Sequence, residues 1–554
     1  MNSARQANIA AHLPDMAHQQ PNTPAIFIPQ RRGPDRLEYQ QYSFQQLDQL
    51  SNRIAHGLEK IGIGRGVRTA LMVTPGLEFF ALTFALFKVG AVPVLIDPGM
   101  GVKNLKVCLA EAEPEAFIGI PKAHVARLLL GWGKDSLKIL LTVGTRFFWG
   151  GTSLDRLLQG HSEDLSYAIA ETGTEETAAI LFTSGSTGVP KGVVYSHGNF
   201  TAQVEQLKKI YAITPGEIDL PTFPLFALFA PALGMTSVIP EMDFTRPGSV
   251  DPVKIIDAIQ HFNITTMFGS PALINRVGSY GQANQIELPT LKRAISAGAP
   301  VPAVVLERFT SMLSPGVQVF TPYGATESLP VCSIGSSAIL NETRFATDLG
   351  EGVCIGKPVP GIVLEIIRIT DEPLTDWQDE LKVADGEIGE IVVKGPQVTR
   401  SYYNRVESTR LAKIADADTG EFYHRMGDLG RRDQQGRIWF YGRKAHRVAT
   451  AQELLFTIPC EAIFNTHAKV FRSALVGVGN AGQMHPVICI ELEKGVPSAE
   501  QNIIRAELLQ IGRSNAITQQ IETILFHPAF PVDIRHNAKI FREKLAIWAA
   551  QEIK

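Results

Sequence analysis

The ten residues 183–192, TSGSTGVPKG, carry four Ser/Thr hydroxyls, three glycines and one lysine set behind a proline. Glycine leaves backbone N–H groups open to close approach, because no Cβ stands beside them, and hydroxyls add further donors. Such a density of donors, with the mobile charge of Lys191, suits a phosphate. Without context, a Ser/Gly cluster is also the composition of an ordinary surface loop. The flanks decide between the two. Residues 177–182, TAAILF, form a short apolar run that reads as a buried strand, and Val193 to Tyr195 read as a return strand. Phe200, Val204, Leu207 and Tyr211 then recur at helical spacing, with Asn199 as the expected N-cap. A donor-rich turn between two strands is rigidly mounted. It is not a Walker loop, which opens a helix directly with Gly-Lys-Ser/Thr; here Pro190 precedes Lys191 and Gly192 follows it.

A chain of 554 residues is too long for one core, so at least two domains are expected. Apolar content of 45%, charged content of 19% and a net charge of −3 describe an ordinary globular protein. No basic block supports a nucleic-acid face. Five scattered cysteines without a CxxC pair argue against a zinc site or a disulfide framework and fit a reducing compartment. With no charged-then-apolar leader, a cytoplasmic location is expected. The stretch 220–240, LPTFPLFALFAPALGMTSVIP, is 21 residues long and uncharged, but it contains Pro221, Pro224, Pro231 and Pro240. Each inner proline removes a backbone hydrogen bond that lipid cannot replace. The segment therefore reads as buried loop and short helix beside an apolar pocket, with no transmembrane segment.

Residues 43–170 alternate helical and strand-like runs, as in a mostly parallel α/β layer structure, and the rhythm continues through VQVFTPYG. After residue 350, short β runs between glycines suggest a small antiparallel barrel or sheet. From about Arg443 the last 110 or so residues have their own strands and helices, enough for a small domain.

Three further stretches bear chemistry. TPYGATES places Tyr323, Gly324, Ala325, Thr326 and Glu327 after the strand-like VQVF, at the carboxyl end where parallel sheets present ligand sites. Glu327 offers oxygen to a hard cation. Asp428 in YHRMGDLG is placed to grip a diol, and Lys539 stands in FPVDIRHNAKIFREKL. Each alone is weak, since an isolated charge is usually a solvated one. Together and in this order, with SAGAP (296–300) and YGR (441–443), they resemble the adenylate-forming superfamily of acyl-CoA synthetases, adenylation domains and luciferases, over essentially the whole chain.

The resemblance implies an α/β fold: a large N-terminal domain (1–442) of two doubly wound α/β subdomains plus a small β-barrel, and a small mobile α+β C-terminal domain (443–554). It implies ATP and Mg²⁺ as cofactors and a carboxylate that attacks the α-phosphorus. Thr183, Ser184, Gly185, Ser186, Thr187, Gly188 and Lys191 would wrap the phosphates. Gly298, Ala299 and Pro300 would flank the adenine, with Tyr323, Gly324 and Ala325 beside the nucleotide. Thr326 would touch the phosphates, Glu327 would hold Mg²⁺, and Asp428 and Arg443 would bind the ribose. Lys539 would bridge substrate carboxylate and adenylate, delivered by closure of the C-terminal domain.

Departures from the superfamily pattern narrow the reading. Ala227 follows Phe226 where many members carry histidine or an aromatic residue, leaving more room by the acyl carboxylate. Ala445 stands at the usual hinge position, with Lys444 and His446 as possible substitutes. No glycine occurs between Gly442 and Gly477, and Leu454, Leu455 and Phe456 lie where a pantetheine arm would enter, which argues against CoA. These features, with HNAKIFREKL and IPCEAIFNTH, resemble the olefin-biosynthesis β-lactone synthetases. That branch implies a long-chain 2-alkyl-3-hydroxy fatty acid as substrate, whose 3-hydroxyl closes the lactone. It also implies a thiolase-like enzyme, a reductase and a β-lactone decarboxylase acting alongside. His197 is a candidate base for that hydroxyl. The alternatives are a long-chain fatty acyl-CoA synthetase, a fatty acyl-AMP ligase that loads a carrier protein, and a nucleotide-binding pseudoenzyme.

Overall fold

The computed structural model describes residues 7–31, 37–160, 162, 165–183, 190–532 and 539–553. Its first sheet has a parallel centre. Strand Thr177–Thr183 lies beside Val92–Ile96, followed by Arg68–Met72, Ala116–Gly119 and Ile139–Thr142. These are short apolar runs covered on both faces, as parallel strands require. At the other side of Thr177–Thr183 the antiparallel strand Lys191–Ser196 is added, and Ser401–Tyr402 closes that edge. The helix after Lys191–Ser196 starts earlier than its apolar spacing suggests. Ser196, not Asn199, is the N-cap of His197–Tyr211, and the two side chains bond reciprocally to each other's backbone N–H.

Helix Leu77–Lys88 is buried along its whole length from Phe79, packed between this sheet and helix Phe44–Lys60. A helix apolar on all sides belongs inside, but its last residue is a lysine. Lys88 Nζ donates to Asp48 Oδ1 (2.6 Å), Ser51 Oγ (2.7 Å) and Asn52 Oδ1 (2.6 Å). Burial pulls its pKa down, and Asp48 opposes that shift.

The second sheet also has a parallel half, running from Pro24–Arg31 through Thr236–Val238, Ile218–Pro221, Thr266–Phe268 and Arg293–Ile295 to Gln318–Ala325. The uncharged stretch 220–240 is a strand end, two four-residue helices and a strand. Among the described residues no helix is long and apolar enough to cross a membrane. From Gln318–Ala325 the same sheet continues antiparallel through Ser328–Gly335, Val353–Pro358, Ile438–Arg443, Glu421–Arg432, Gly389–Lys394 and Val363–Ile367. The antiparallel part expected as a barrel is thus joined by unbroken pairing to the α/β part.

Residues beyond Val448 build two clusters of their own around the sheet of Val470–Val478, His485–Leu492 and Thr523–Phe526. Helices Thr457–Phe464, Gln501–Arg513 and Arg542–Glu552 cover that sheet. Buried Glu461 and half-buried Arg542 pair at 2.7 Å within it. All five cysteines are buried and unpaired.

The Lys88 cluster gives a stability test. Asp48→Ala leaves a buried ammonium without its counter-charge and is expected to cost about 3 kcal/mol. Lys88→Met removes the charge itself and is expected to cost clearly less. Thermal melts of both variants check this; the reverse order would show that Lys88 is not held by Asp48.

Candidate active site

Two hairpin ends and one cross-strand pair converge. Thr183 and Lys191 are register partners at the end of their antiparallel pair. The donor-rich turn therefore leaves the carboxyl end of a strand in a parallel sheet. Ser184, Gly185, Ser186, Thr187 and Gly188 lie outside the described residues, as does the side chain of Thr183. Lys191 Nζ stands 4.9 Å from the centre of the Tyr402 ring. The Tyr402 hydroxyl in turn donates to Glu327 Oε1 at 2.6 Å.

The second hairpin is tighter than a loop after VQVF. Its first strand runs to Ala325, and Ala325 pairs with Ser328, so Thr326 and Glu327 alone make the turn. Gly324 is required there: a Cβ would lie 2.5 Å from the Ser328 carbonyl oxygen. The turn is tied to the edge of the first sheet. Tyr195 donates its hydroxyl to the Thr326 carbonyl, and Thr399 donates its backbone N–H to the Glu327 carbonyl at 2.9 Å. Next to this strand, the backbone N–H of Ser296 donates to the Phe320 carbonyl at 2.8 Å. The Gly298–Ala299–Pro300 turn thus starts beside the strand of Tyr323. Gly298 has φ of +102°, which favours glycine.

Asp428 and Arg443 face each other across two antiparallel strands. Arg443 Nη1 lies 3.1 Å from Asp428 Oδ1, and the Tyr323 hydroxyl donates to Oδ2 at 2.6 Å. Burial pushes the Asp428 pKa up, opposed by Arg443 and Tyr323. Oδ1 is buried, and no donor is aligned on it among the described residues. A buried acceptor beside a guanidinium is the complement of a hydroxyl donor, as a ribose offers. The donor sets fit ATP: an open acceptor for the sugar, and Lys191 with Glu327 at the phosphate end. No group of three or more possible metal ligands occurs among the described residues, so Glu327 would hold Mg²⁺ together with ligands supplied by the nucleotide and water.

Two residues not apparent from the sequence join this cluster. Lys413 and His424 are cross-strand partners. Lys413 Nζ donates to the carbonyl of Thr399, the residue whose N–H holds Glu327. Burial lowers the Lys413 pKa to about 7, against the pull of Glu327. His424 Nδ1 donates to the Ala412 carbonyl at 3.1 Å, which places its proton on Nδ1. Burial lowers the pKa of this ring well below its usual value, and Lys413, Lys191 and Arg443 push it in the same direction. Three cations within reach of one histidine mark a place for a polyanion. No local motif announces Lys413, which sits 86 positions after Glu327 and owes its place to strand pairing.

His197 is not a base of this cleft. It is fully buried, its Nδ1 accepts from the backbone N–H of Ile9 at 3.2 Å, and the Phe87 ring packs against it. Burial lowers its pKa to about 4. Ala227 is enclosed in the N-terminal core with Ala230 and Ala232 rather than opening room beside a substrate. Phe226 does meet Phe223 and Phe268, at ring distances of 5.1 and 4.5 Å, which gives an apolar wall at the ends of two parallel strands.

Ala445 lies between two anchored residues. Lys444 Nζ donates to Glu390 Oε2 (3.0 Å) and the Thr370 carbonyl (2.7 Å), while His446 Nε2 lies 3.3 Å from Glu543 Oε1 on the last helix. Lys539 precedes that helix by three residues and is half-buried; residues 533–538 just before it lie outside the described residues.

The AMP-binding enzyme family matches residues 13–403. Two olefin beta-lactone synthetases are each 50% identical to the chain. That of Stenotrophomonas maltophilia (strain K279a) aligns over 99% of both chains, and that of Xanthomonas campestris pv. campestris over 98% of both. Among solved structures, ATP-bound MatB from Rhodopseudomonas palustris superposes with a TM-score of 0.78 at 21% identity, covering 99% of this chain and 100% of that one. The amide bond synthetase McbA from Marinactinospora thermotolerans gives 0.78 at 20% identity, covering 98% and 99%. At that identity the likeness is one of fold, and it matches the two-sheet α/β architecture described above.

Lys413 provides a pH test. Its folded pKa of about 7 lies below the ordinary 10.5, so between these values the unfolded chain binds more protons. The contribution of this group to stability therefore rises with pH across that window. Wild type should gain thermal stability relative to Lys413→Met from pH 7 to pH 9. Parallel curves would show that the ammonium is not desolvated.

Proposed function

The chain belongs to the AMP-binding enzyme family and is an AMP-forming ligase, and from that premise we propose that it activates a long-chain 2-alkyl-3-hydroxy fatty acid and closes it to a β-lactone. The full-length 50% identity to two olefin beta-lactone synthetases carries the product assignment. The open acceptor of Asp428 beside Arg443 supports nucleotide binding in this cleft.

In the first step a carboxylate oxygen attacks the α-phosphorus of ATP, the bond to the β-phosphate oxygen breaks, and pyrophosphate leaves. The obstacle is anion repulsion, which fixed donors and cations offset without reorganising. Asp428 and Arg443 hold the ribose hydroxyls, and Tyr323 fixes the carboxylate that does so. Gly298, Ala299 and Pro300 flank the adenine. The turn from Thr183 to Gly188, with Lys191 and Thr326, takes the phosphates. Glu327, oriented by Tyr402, would hold Mg²⁺, which when bound neutralises phosphate charge. Lys539 bridges the substrate carboxylate and the adenylate. In the second step the 3-hydroxyl oxygen attacks the acyl carbon, its proton passes to a base, and the bond to AMP breaks. Because the nucleophile is tethered, no second substrate is needed. Phe223, Phe226 and Phe268 offer an apolar wall for the alkyl chains.

We further take residues 1–442 as the adenylation domain and 443–554 as the mobile lid, with Ala445 between the two anchored residues as the point of rotation. A cytoplasmic setting and a thiolase-like enzyme, a reductase and a β-lactone decarboxylase as neighbours in the pathway complete the reading. Formation of a CoA thioester is the second reading. The hairpin of Val448–Ala449 with Leu454–Leu455, where Leu455 is buried and no glycine is present, argues against it.

Purified protein with Mg-ATP and a 3-hydroxy acid should release AMP and lactone over many turnovers without CoA. A 3-deoxy acid should stop near one equivalent of pyrophosphate. AMP turnover that requires CoA would overturn the lactone reading. Lys539→Ala should slow adenylation by about 100-fold or more while ATP still binds; unchanged turnover would remove Lys539 from the chemistry.

A further inference from the structure

An apolar surface lies outside the cleft. Helix Pro121–Leu130 follows strand Ala116–Gly119, and residues 143–151 follow strand Ile139–Thr142. Among the large apolar side chains here, Leu129 is 80% exposed, Phe148 85%, Phe147 53% and Leu128 44%. Single exposed leucines need no explanation, but a cluster of this size does.

The aromatic pair is built, not frayed. Trp149 is buried, donates its indole N–H to Thr142 Oγ1 at 2.9 Å and stacks on the buried His124 at 5.1 Å. Phe147 and Phe148 pack edgewise on that indole, at 5.3 and 5.7 Å. One side of each ring is thus anchored while the rest faces water. His124 belongs to the same helix as Val125, Leu128 and Leu129, so the helix face and the Phe147–Phe148 turn flank one stacked pair.

The two segments that build this surface carry charge of one sign. Between Pro121 and Lys134, and between Val143 and Thr152, no Asp or Glu occurs, whereas Lys122, Arg127, Lys134 and Arg146 do. In a chain with net charge −3, that asymmetry is local. Both segments leave the carboxyl ends of strands in the parallel array that also carries the Thr183 turn. The Phe147–Phe148 turn therefore projects from the same edge of the sheet as the phosphate end of the cleft. Four strand spacings separate them, roughly 19 Å.

We infer that Phe147, Phe148 and the outer face of helix Pro121–Leu130 form a peripheral docking surface for an anionic lipid bilayer. The rings and leucines enter the headgroup boundary while Lys122 and Arg146 meet lipid phosphates. Exposed aromatic side chains on two basic, acid-free segments are complementary to such a bilayer, which offers phosphates and an apolar phase together. Docking here would hold the phosphate end of the cleft towards the membrane, and the inference does not depend on which acid the cleft activates.

Co-sedimentation with phosphatidylcholine vesicles and with vesicles containing 30% phosphatidylglycerol tests this. Wild type should bind the anionic vesicles at least tenfold better than the neutral ones, and 0.5 M salt should release most of it. Phe147→Ser/Phe148→Ser and Lys122→Glu/Arg146→Glu should each cut binding at least fivefold with ATP affinity unchanged, which separates loss of docking from misfolding. Equal sedimentation of wild type and both variants, or wild type remaining in the supernatant with anionic vesicles, would overturn the inference. So would a concentration-dependent dimer abolished by the Phe147/Phe148 change, which would assign the face to a second copy of the chain.

Discussion

Asp428 is a carboxylate placed where a carboxylate is costly. It is buried, its own pKa is pushed up by that burial, and two groups oppose the shift: Arg443 directly across the strand pair and Tyr323 from a third strand. Glu421–Arg432 and Ile438–Arg443 must pair in this register for Arg443 to reach it. Gln318–Ala325 must run beside Ser328–Gly335 in its register and carry Tyr323 within 2.6 Å of Asp428 Oδ2. Unbroken pairing from the parallel into the antiparallel half of the second sheet satisfies both conditions. The arrangement leaves Oδ1 without an aligned donor among the described residues. A ligand hydroxyl that donates to this oxygen adds an aligned hydrogen bond to the ion pair with Arg443.

The other end of the cleft is organised by tyrosines. Tyr195 and Tyr402 come from neighbouring strands of the first sheet and bond to consecutive residues, Thr326 and Glu327, at the tip of the second. Two separately built sheets are thereby fixed to each other at the point where charge is concentrated. Lys191 over Tyr402, and Lys413 bonded to Thr399, add two cations around one carboxylate. Lys413 and His424 are both driven toward neutrality by burial. A phosphate anion beside them would favour their charged forms.

The α/β rhythm, the strands that flank the donor-rich stretch and the order of chemical stretches are legible because each rests on local signals. Apolar runs, a glycine cluster and short motifs suffice to find them. Asp428, Arg443 and Tyr323 were marked one by one, and the structure brings them within bonding distance of each other. What escaped the sequence depends on pairing over long separations. Tyr402 reaches Glu327 across 75 residues, and Lys413 is placed by its partner His424. His197 is a candidate base because it lies near the donor-rich turn in sequence, yet the N-terminal turn at Ile9 covers it from nearly two hundred residues away. The helix is capped three residues before the position that the apolar spacing predicts, because Asn199 is itself a good cap and takes part in the same box as Ser196.

The central claim is that the substrate carboxyl, and not its hydroxyl, is joined to the nucleotide. Oxygen labelling tests this most directly. With ¹⁸O in both carboxylate oxygens of the 3-hydroxy acid, one label should appear in the phosphate of AMP and the other in the lactone carbonyl, while an ¹⁸O placed in the 3-hydroxyl should stay in the ring. Label passing from the 3-hydroxyl into AMP, with both carboxylate oxygens kept in the lactone, would contradict the account.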